Sequence, residues 1–254
     1  MKHTVKSWIG AILLSLAAIF GLGYAEPARA FTLVELLVIP SEFLVANQLA
    51  TVAVSNTTAG PNAHDIHLVA AAVNDRGTVF KTEGNKANPI TISPNQTFHF
   101  GIRAPSTGNL SFHTMIELDT ANAAVGDVMG WDVNTGQLIS IMQGQVTLPA
   151  VQDIPAVGLA AGQSALVKVT NVSANNLMPT ISLFMENGKL IKTMTPTVAP
   201  NQTFTHRVTA TNGNLALFAT VNWGDGSVGL SDVMTLDQTT GQVIAILPYV
   251  LNGN

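Results

Sequence analysis

The sequence repeats itself, and the repeat covers nearly all of the chain after residue 30. Segments of the first half recur in the same order in the second half, at shifts of 115 positions near the start and 105 near the end. The matching segments include Thr32-Leu33 with Thr147-Leu148, Ile39-Pro40 with Ile154-Pro155, Pro94 to Phe98 with Pro200 to Phe204, and Asp127-Val128-Met129 with Asp232-Val233-Met234. A preserved order indicates a tandem duplication, so both halves are expected to build the same fold.

An alternating pattern inside the repeat identifies a β-strand. Every second residue of one stretch is identical in the two copies: Ala46, Gln48, Ala50, Val52 and Val54 fall on Ala161, Gln163, Ala165, Val167 and Val169. Identity at a period of two marks one face of a strand.

The first copy contains eight such alternating stretches. They predict strands near residues 32–39, 48–55, 65–73, 78–82, 96–103, 110–118, 127–132 and 137–143. Short strands of this number, without a convincing helix, are typical of an antiparallel sandwich with Greek-key connections. The predicted fold class is therefore all-β. We expect two tandem immunoglobulin-like antiparallel β-sandwich domains, residues 31–144 and 145–254, after an N-terminal signal peptide at residues 1–30.

Two aspartates occupy equivalent places in the copies and are predicted to form turns. Asp132 begins Asp-Val-Asn-Thr-Gly, and Asp237 begins Asp-Gln-Thr-Thr-Gly. In a hairpin loop the aspartate accepts hydrogen bonds from nearby backbone amides, and the glycine takes a positive φ. Turn formation is favoured over a catalytic role for both.

The turns that open two strands also carry a family resemblance. Val157-Gly158-Leu159-Ala160-Ala161-Gly162-Gln163 precedes an alternating strand, and Ser93-Pro94-Asn95-Gln96 and Ala199-Pro200-Asn201-Gln202 open another. These turns resemble those of the immunoglobulin-like modules of secreted bacterial proteins. The resemblance implies a sandwich architecture, and such modules mostly lack an assigned activity. The Cys-Trp-Cys core of antibody-type domains is absent from the sequence, which contains no cysteine.

The first thirty residues have the pattern of a secretion signal. Lys2 and Lys6 precede an apolar run from Trp8 to Leu22, and Ala28-Arg29-Ala30 provides small residues at a cleavage site. We predict cleavage after Ala30 and a secreted protein, located in the periplasm, at the cell surface or outside the cell. No transmembrane segment is expected after cleavage. The alternative is an uncleaved N-terminal anchor, because the apolar run is nearly long enough to span a membrane.

The segment after this site, Phe31 to Pro40, allows two interpretations. Its first seven residues resemble the start of a type IV pilin, with Glu35 at the fifth mature position. Three features oppose this: the leader is long and apolar, Ala30 stands where pilins have glycine, and the apolar run meets Pro40 too early for a membrane-embedded helix. The recurrence of Thr32-Leu33 and Ile39-Pro40 in the second copy favours a first β-strand.

Composition excludes some classes of function. Only 10% of the residues are charged, the formal net charge is −4, and no basic run occurs, so nucleic-acid binding is not expected. The sequence contains no nucleophile elbow, no phosphate-binding glycine-rich loop and no His-Glu-x-x-His motif. We therefore predict a protein that is not an enzyme and needs no cofactor.

A metal site at His99 and His113 is the sharpest chemical hypothesis. If strands 96–103 and 110–118 form a hairpin, the two imidazoles lie across from each other and can share a metal ion. Against this, a third ligand is missing, the strands of a Greek key can lie in different sheets, and Thr205 and Phe218 stand at the equivalent positions of the second copy. The competing expectation is two surface histidines in contact with solvent.

Other acidic and histidine residues give weaker patterns. His64 and His67 flank Asp65, but residues three apart on a strand face opposite ways. Glu117 and Asp119 share a face, and Asp225 lies in a loop, yet neither shows the ligand spacing of a known calcium site. Turn and edge positions are the favoured interpretation for all of them.

Three hypotheses of function follow. The first is a secreted, non-enzymatic structural or binding protein whose partner is a protein or a carbohydrate at the cell surface. The second is a subunit of a surface fibre that self-assembles by β-strand addition through its N-terminal strand, because Leu33 to Ile39 is more apolar than Leu148 to Ile154. The third is a metal-binding protein or metalloenzyme that uses His99 and His113.

Overall fold

The computed structural model describes residues 31–144, 150–211, 213–224 and 229–249. These residues form seventeen β-strands and one short 3-10 turn, Gly60–Asn62. The strands of the first copy are β1 (Glu35–Val45), β2 (Gln48–Asn56), β3 (Ile66–Asn74), β4 (Val79–Glu83), β5 (Ile90–Ile92), β6 (Thr97–Arg103), β7 (Asn109–Leu118), β8 (Ala124–Asp132) and β9 (Leu138–Gln143). Those of the second copy are β10 (Val151–Leu159), β11 (Gln163–Asn171), β12 (Thr180–Met185), β13 (Leu190–Met194), β14 (Thr203–Thr209), β15 (Leu215–Asn222), β16 (Gly229–Asp237) and β17 (Val243–Pro248).

The strands form four antiparallel sheets that pair as two sandwiches. The first copy has the orders β1-β7-β3-β4, with β5 also beside β3, and β6-β2-β8-β9. The second copy has the orders β10-β15-β12-β13 and β14-β11-β16-β17. Each strand of the second copy occupies the place of its counterpart in the first, so the two halves share one strand order. The all-β sandwich prediction is confirmed.

The strand order differs from that of an immunoglobulin domain. The pairs β2–β6 and β3–β7 match the B–E and C–F pairs of that fold. However, β1 pairs with β7, and β8 pairs with β2 across the sandwich from β7. An immunoglobulin domain instead places its seventh strand, G, beside F.

The shared Ile-Pro motif produces the same irregularity in both copies. Pairing of β1 with β7 shifts register between Ile39 and Glu42, and pairing of β10 with β15 shifts between Ile154 and Val157. Proline has no amide hydrogen to donate to a ladder, so it is tolerated at a bulge on an edge strand. The prediction that the first strand ends near residue 39 is therefore wrong, because β1 continues through Pro40 to Val45.

The core of each sandwich lies between the alternating faces of its two sheets. Val52 and Val54 of β2, and Val167 and Val169 of β11, are completely buried, as the pattern shared by the copies predicts. In the second copy these valines pack in one cluster with Ile181, Leu183 and Ala219, among others. Burial of apolar side chains is the main stabilising contribution in a chain without cysteine.

The chain divides into two compact units. Among the described residues, one unit contains 31–74 and 78–144, and the other contains 150–249 together with Asp75–Gly77. No helix within the described ranges has the length and apolar character needed to cross a bilayer. The predicted signal peptide, the domain boundary between residues 144 and 145, and the Asp225 loop involve residues outside the described ranges.

Candidate functional site

His99 and His113 lie in different sheets of the first sandwich. His99 is exposed on β6, which pairs with β2, whereas His113 lies on β7, which pairs with β1 and β3. The hairpin on which a shared metal ion depends does not form, because β6 and β7 belong to different sheets, the other arrangement that the sequence allowed. Among the described residues, no group of three histidine or carboxylate side chains is placed to hold a metal ion. The two imidazoles therefore do not lie across from each other on paired strands, and the metal hypothesis stays a prediction.

The surroundings of the two histidines also differ. His113 is completely buried opposite Val73 of β3, so the expectation of a surface histidine is wrong at this position. His99 lies on the outer face of its sheet, where Ala53 of β2 stands between it and Asp127 of β8. Partial burial raises the pKa of Asp127, and the nearby His99 opposes that rise.

His67 and Asp119 form a pair that the sequence pattern does not reveal. His67 Nδ1 lies 2.7 Å from Asp119 Oδ2, and the His67 backbone amide donates to Asp119 Oδ1 at 2.8 Å. The two residues are 52 positions apart and meet because β3 and β7 pair with Leu68 opposite Leu118. Knowledge of that register would have been needed to find them. The pair fixes the imidazole and ties the start of β3 to the end of β7.

Glu117 and Asp119 do not form a joint calcium site. Asp119 binds His67, whereas Glu117 Oε2 lies 3.6 Å from Lys86 Nζ in the loop between β4 and β5. Burial raises the pKa of Glu117, and the charge of Lys86 and its contact with the carboxylate oppose this rise. Each carboxylate therefore has its own partner of basic character.

The two equivalent aspartates form turns, as predicted. Asp132 Oδ1 accepts hydrogen bonds from the amides of Asn134 and Thr135, both at 2.9 Å. Asp237 Oδ1 accepts from the amides of Thr239 at 2.9 Å and Thr240 at 2.8 Å. The hydrogen bonds lower the pKa of both carboxyl groups, with the backbone amides of Thr135 and Thr240 as the largest causes.

Equivalent asparagines at the ends of β2 and β11 also perform one structural task. Asn56 Nδ2 donates to the carbonyls of Ile92 at 2.8 Å and His64 at 2.9 Å. Asn171 Nδ2 donates to the carbonyls of Val198 at 2.9 Å and Asn175 at 2.7 Å. Each buried side-chain amide thus links the loop that follows its strand to the segment that precedes β6 in the first copy and β14 in the second.

A shallow depression lies at one end of the second sandwich. It has a volume of about 440 Å³ and is lined by Glu186, Asn214, Gln163 and the chain around Ala160. A neighbouring depression of about 380 Å³ shares Glu186 and Asn214 and adds Asn187. The Glu186 amide donates to the Ala216 carbonyl at 3.1 Å, which fixes the backbone while the side chain remains exposed. We call this surface the Glu186 end.

The Glu186 end offers exposed hydrogen-bonding groups on turns between strands. One carboxylate, from Glu186, and three side-chain amides, from Gln163, Asn187 and Asn214, line it. Such groups can orient a polar partner, and loops at the end of a sandwich are a common place for binding. Sequence reasoning missed this surface because exposed Glu and Asn in turns give no pattern beyond turn formation.

No protein-family model and no curated protein matches the chain. Among solved structures, a GH2 β-galacturonidase from Eisenbergiella tayi matches with a TM-score of 0.23 and 8% identity, over 84% of this chain and 34% of its own. A β-glucuronidase from Bacteroides uniformis matches with a TM-score of 0.19 and 8% identity, over 87% and 27%. Allantoicase from Saccharomyces cerevisiae matches with a TM-score of 0.21 and 9% identity, over 84% and 77%.

These similarities are too weak to carry an argument about fold or activity. The chain covers about a third or less of the two bacterial enzymes. What defines the molecule is its own strand pairing, which makes it a tandem β-sandwich protein.

Proposed function

We propose that the chain is an exported, non-enzymatic protein with a structural or binding role at the cell surface or outside the cell. In this proposal its two sandwiches act as extracellular modules; their opening turns resemble those of immunoglobulin-like modules, although their strand order differs. One observation carries the non-enzymatic part: the polar side chains shared by both copies hold loops in place. Asn56 and Asn171 fasten loops, and Asp132 and Asp237 close hairpins.

The Glu186 end is the proposed contact surface for a protein or carbohydrate partner. The side chains of Glu186, Asn187 and Asn214 are exposed, and the Glu186 turn is tied to β15 by the hydrogen bond from the Glu186 amide to the Ala216 carbonyl. A turn held in this way loses less conformational entropy on binding than a free one, which favours recognition.

Export is tested by expressing the full chain with its own leader in a bacterial host. The expected product lies outside the cytoplasm and has the intact mass of residues 31–254. A protein that stays in the cytoplasm, or keeps residues 1–30 after fractionation, would contradict export with cleavage after Ala30.

Binding is tested with the purified mature chain on a glycan array and on immobilised cell-surface proteins. A double variant, Glu186→Ala with Asn214→Ala, is expected to lose the binding seen with the parent. The matched control is Asp65→Ala, which removes an exposed carboxylate from the other copy. Equal loss in both variants would argue against the Glu186 end as the contact surface.

The metalloenzyme hypothesis makes a separate prediction. It requires zinc or copper bound to the purified protein and loss of that metal in His99→Ala. Elemental analysis of parent and variant decides this point, and a stoichiometric metal that the variant loses would overturn the non-enzymatic proposal in favour of a metal protein.

A further inference from the structure

The edge strands of the two sandwiches are protected unequally. An unpaired edge invites pairing with another chain, and proteins usually prevent this with a charge, a proline, a bulge or a very short strand. Most edge strands here carry such a feature: Pro40 in β1, Lys81 in β4, Arg103 in β6, Pro155 in β10, Lys192 in β13, Arg207 in β14 and Pro248 in β17, while β5 is three residues long.

Strand β9 has neither a charge nor a proline, and its only protective feature is a bulge at Ile139 near its start. Its sequence from Leu138 to Gln143 is Leu-Ile-Ser-Ile-Met-Gln, and it lies at the end of the order β6-β2-β8-β9. The ladder with β8 is irregular around Ile139, and Ser140 to Gln143 then pair regularly. Within the described chain no strand pairs with its other edge. This edge is therefore free to accept a strand along at least four regular residues.

The outer face beside this edge is apolar and accessible. Ile141 is 57% exposed and Leu138 is 41% exposed. They lie directly across from Met129 and Trp131 of β8, which are half-buried on the same face. A strand added beside β9 would cover part of this surface as well as pair the edge.

The equivalent edge strand in the second copy contains a proline, and the strand beside it has no exposed apolar outer face. Strand β17 ends with Pro248, and the residues of β16 that correspond to Met129 and Trp131 are Met234 and Leu236, which are already buried. An added strand at β17 would meet a proline and would find the outer residues of β16 already covered, with Ile244 at the bulge as the exposed large apolar side chain. The two copies therefore differ at this edge.

We propose that two copies of this chain associate by antiparallel pairing of β9 with β9, which joins two β6-β2-β8-β9 sheets into one. The same surface serves both partners, so the contact closes as a symmetric dimer. Because β9 carries no charge, self-pairing places no like charges opposite each other, whereas Lys81 lies at the centre of β4 and would face itself. A contact of this size is expected to be weak and concentration-dependent.

Sedimentation velocity on the mature chain, from low to high micromolar concentration, measures the association. The expected result is a reversible shift from monomer towards dimer. Hydrogen exchange on the same samples is expected to slow in the peptide that contains residues 138–143 as the concentration rises. A monomer at all concentrations, or a dimer with no added protection of β9, would overturn the proposal.

Variants then identify the edge. Ile141→Lys places a charge on β9 and is expected to abolish the dimer, while Ile244→Lys places one on β17 at an exposed site and is expected to leave it intact. Loss of association in both variants would indicate β9–β17 pairing and overturn the symmetric contact. Circular dichroism checks that each variant is folded. If a variant is unfolded, the hydrogen exchange of residues 138–143 in the parent decides whether β9 forms the contact.

The proposal does not depend on export or on the Glu186 end. Association is measured on purified protein, whereas export is measured by location and mass. Failure of one therefore leaves the other intact.

Discussion

At the scale of single residues, equivalent polar side chains of the two copies close the same loops. Asp237 illustrates this, because its carboxylate holds the amides of Thr239 and Thr240 in the hairpin between β16 and β17. Its counterpart Asp132 does the same in the first copy. The two turns share the aspartate, the threonine three residues later and the glycine after it, and they differ only at the two residues between, so the shared residues determine the turn.

Asp237→Asn is expected to remove a pH-dependent part of the stability. The hydrogen bonds lower the pKa of Asp237 in the folded protein below the ordinary 3.8, so the charged carboxylate stabilises the fold above that pH. This stabilisation is lost as the pH falls through the lowered pKa. Asparagine keeps an acceptor oxygen but does not titrate.

Thermal unfolding of parent and variant from neutral to acidic pH measures the effect. The parent should melt at a higher temperature at neutral pH, and the difference should shrink as the pH falls below 3.8. Asp132→Asn provides an independent repeat in the other copy. A difference that stays constant over the whole range would show that the charge is irrelevant.

At the scale of elements, the alternating pattern located the strands but not their neighbours. The strand predicted at 48–55 is β2, Gln48–Asn56, and the one predicted at 110–118 is β7, Asn109–Leu118. Strand β5 was missed because three residues are too short to show a period. Pairing of β8 with β2 could not be predicted, since alternation indicates which face is buried and not which strand lies alongside.

The candidate site was harder to predict for the same reason. His113 was expected at the surface because alternation separates it from Phe112, yet both faces of β7 are buried near its middle. His67 and Asp119 meet only through the pairing of β3 with β7. A local pattern cannot show contacts that depend on long-range register.

The contact of β1 with β9 allows a test of how the copies diverged. Glu42 is buried and accepts a hydrogen bond from Ser140 Oγ at 2.8 Å. The equivalent residues of the second copy are Val157 and Ala245, so an apolar pair occupies the same place. Gly130 provides the space, because a Cβ there would lie 2.4 Å from Ser140 Oγ.

Ser140→Ala alone is expected to lower the free energy of unfolding by about 1–3 kcal/mol, since a buried carboxylate loses a hydrogen-bond donor. The double variant Glu42→Val with Ser140→Ala has the residues that the second copy has at the equivalent positions. It is expected to be within about 1 kcal/mol of the parent or more stable, because an apolar pair often replaces a buried charge without loss. Chemical denaturation of the parent, both single variants, Glu42→Val and Ser140→Ala, and the double variant completes the cycle. Losses that simply add would show that the two side chains are not coupled.

At the scale of the whole molecule, duplication has produced two sandwiches that each contain a complete set of strands. In the part of the chain that the structure describes, the ladders between named strands lie within one copy, and each copy has its own buried core. The strands of a sandwich are stabilised by the core between its own two sheets. A defect in one core should therefore act mainly on the copy that contains it.

Leu183→Ala tests this expectation in the second copy. Leu183 of β12 is completely buried in the core cluster, and its truncation is expected to cost about 2–5 kcal/mol. Leu190→Ala removes the same atoms from a side chain of β13 that is 52% exposed, and it is expected to have little effect.

Hydrogen exchange resolved by peptide shows where each variant loosens the fold. Leu183→Ala should speed exchange in the strands β10 to β17 and leave β1 to β9 close to the parent. Leu68→Ala, which truncates a buried residue of β3, should produce the opposite pattern. If either variant speeds exchange in both sets of strands equally, the two copies unfold as one cooperative unit, and the stability of one sandwich depends on the other.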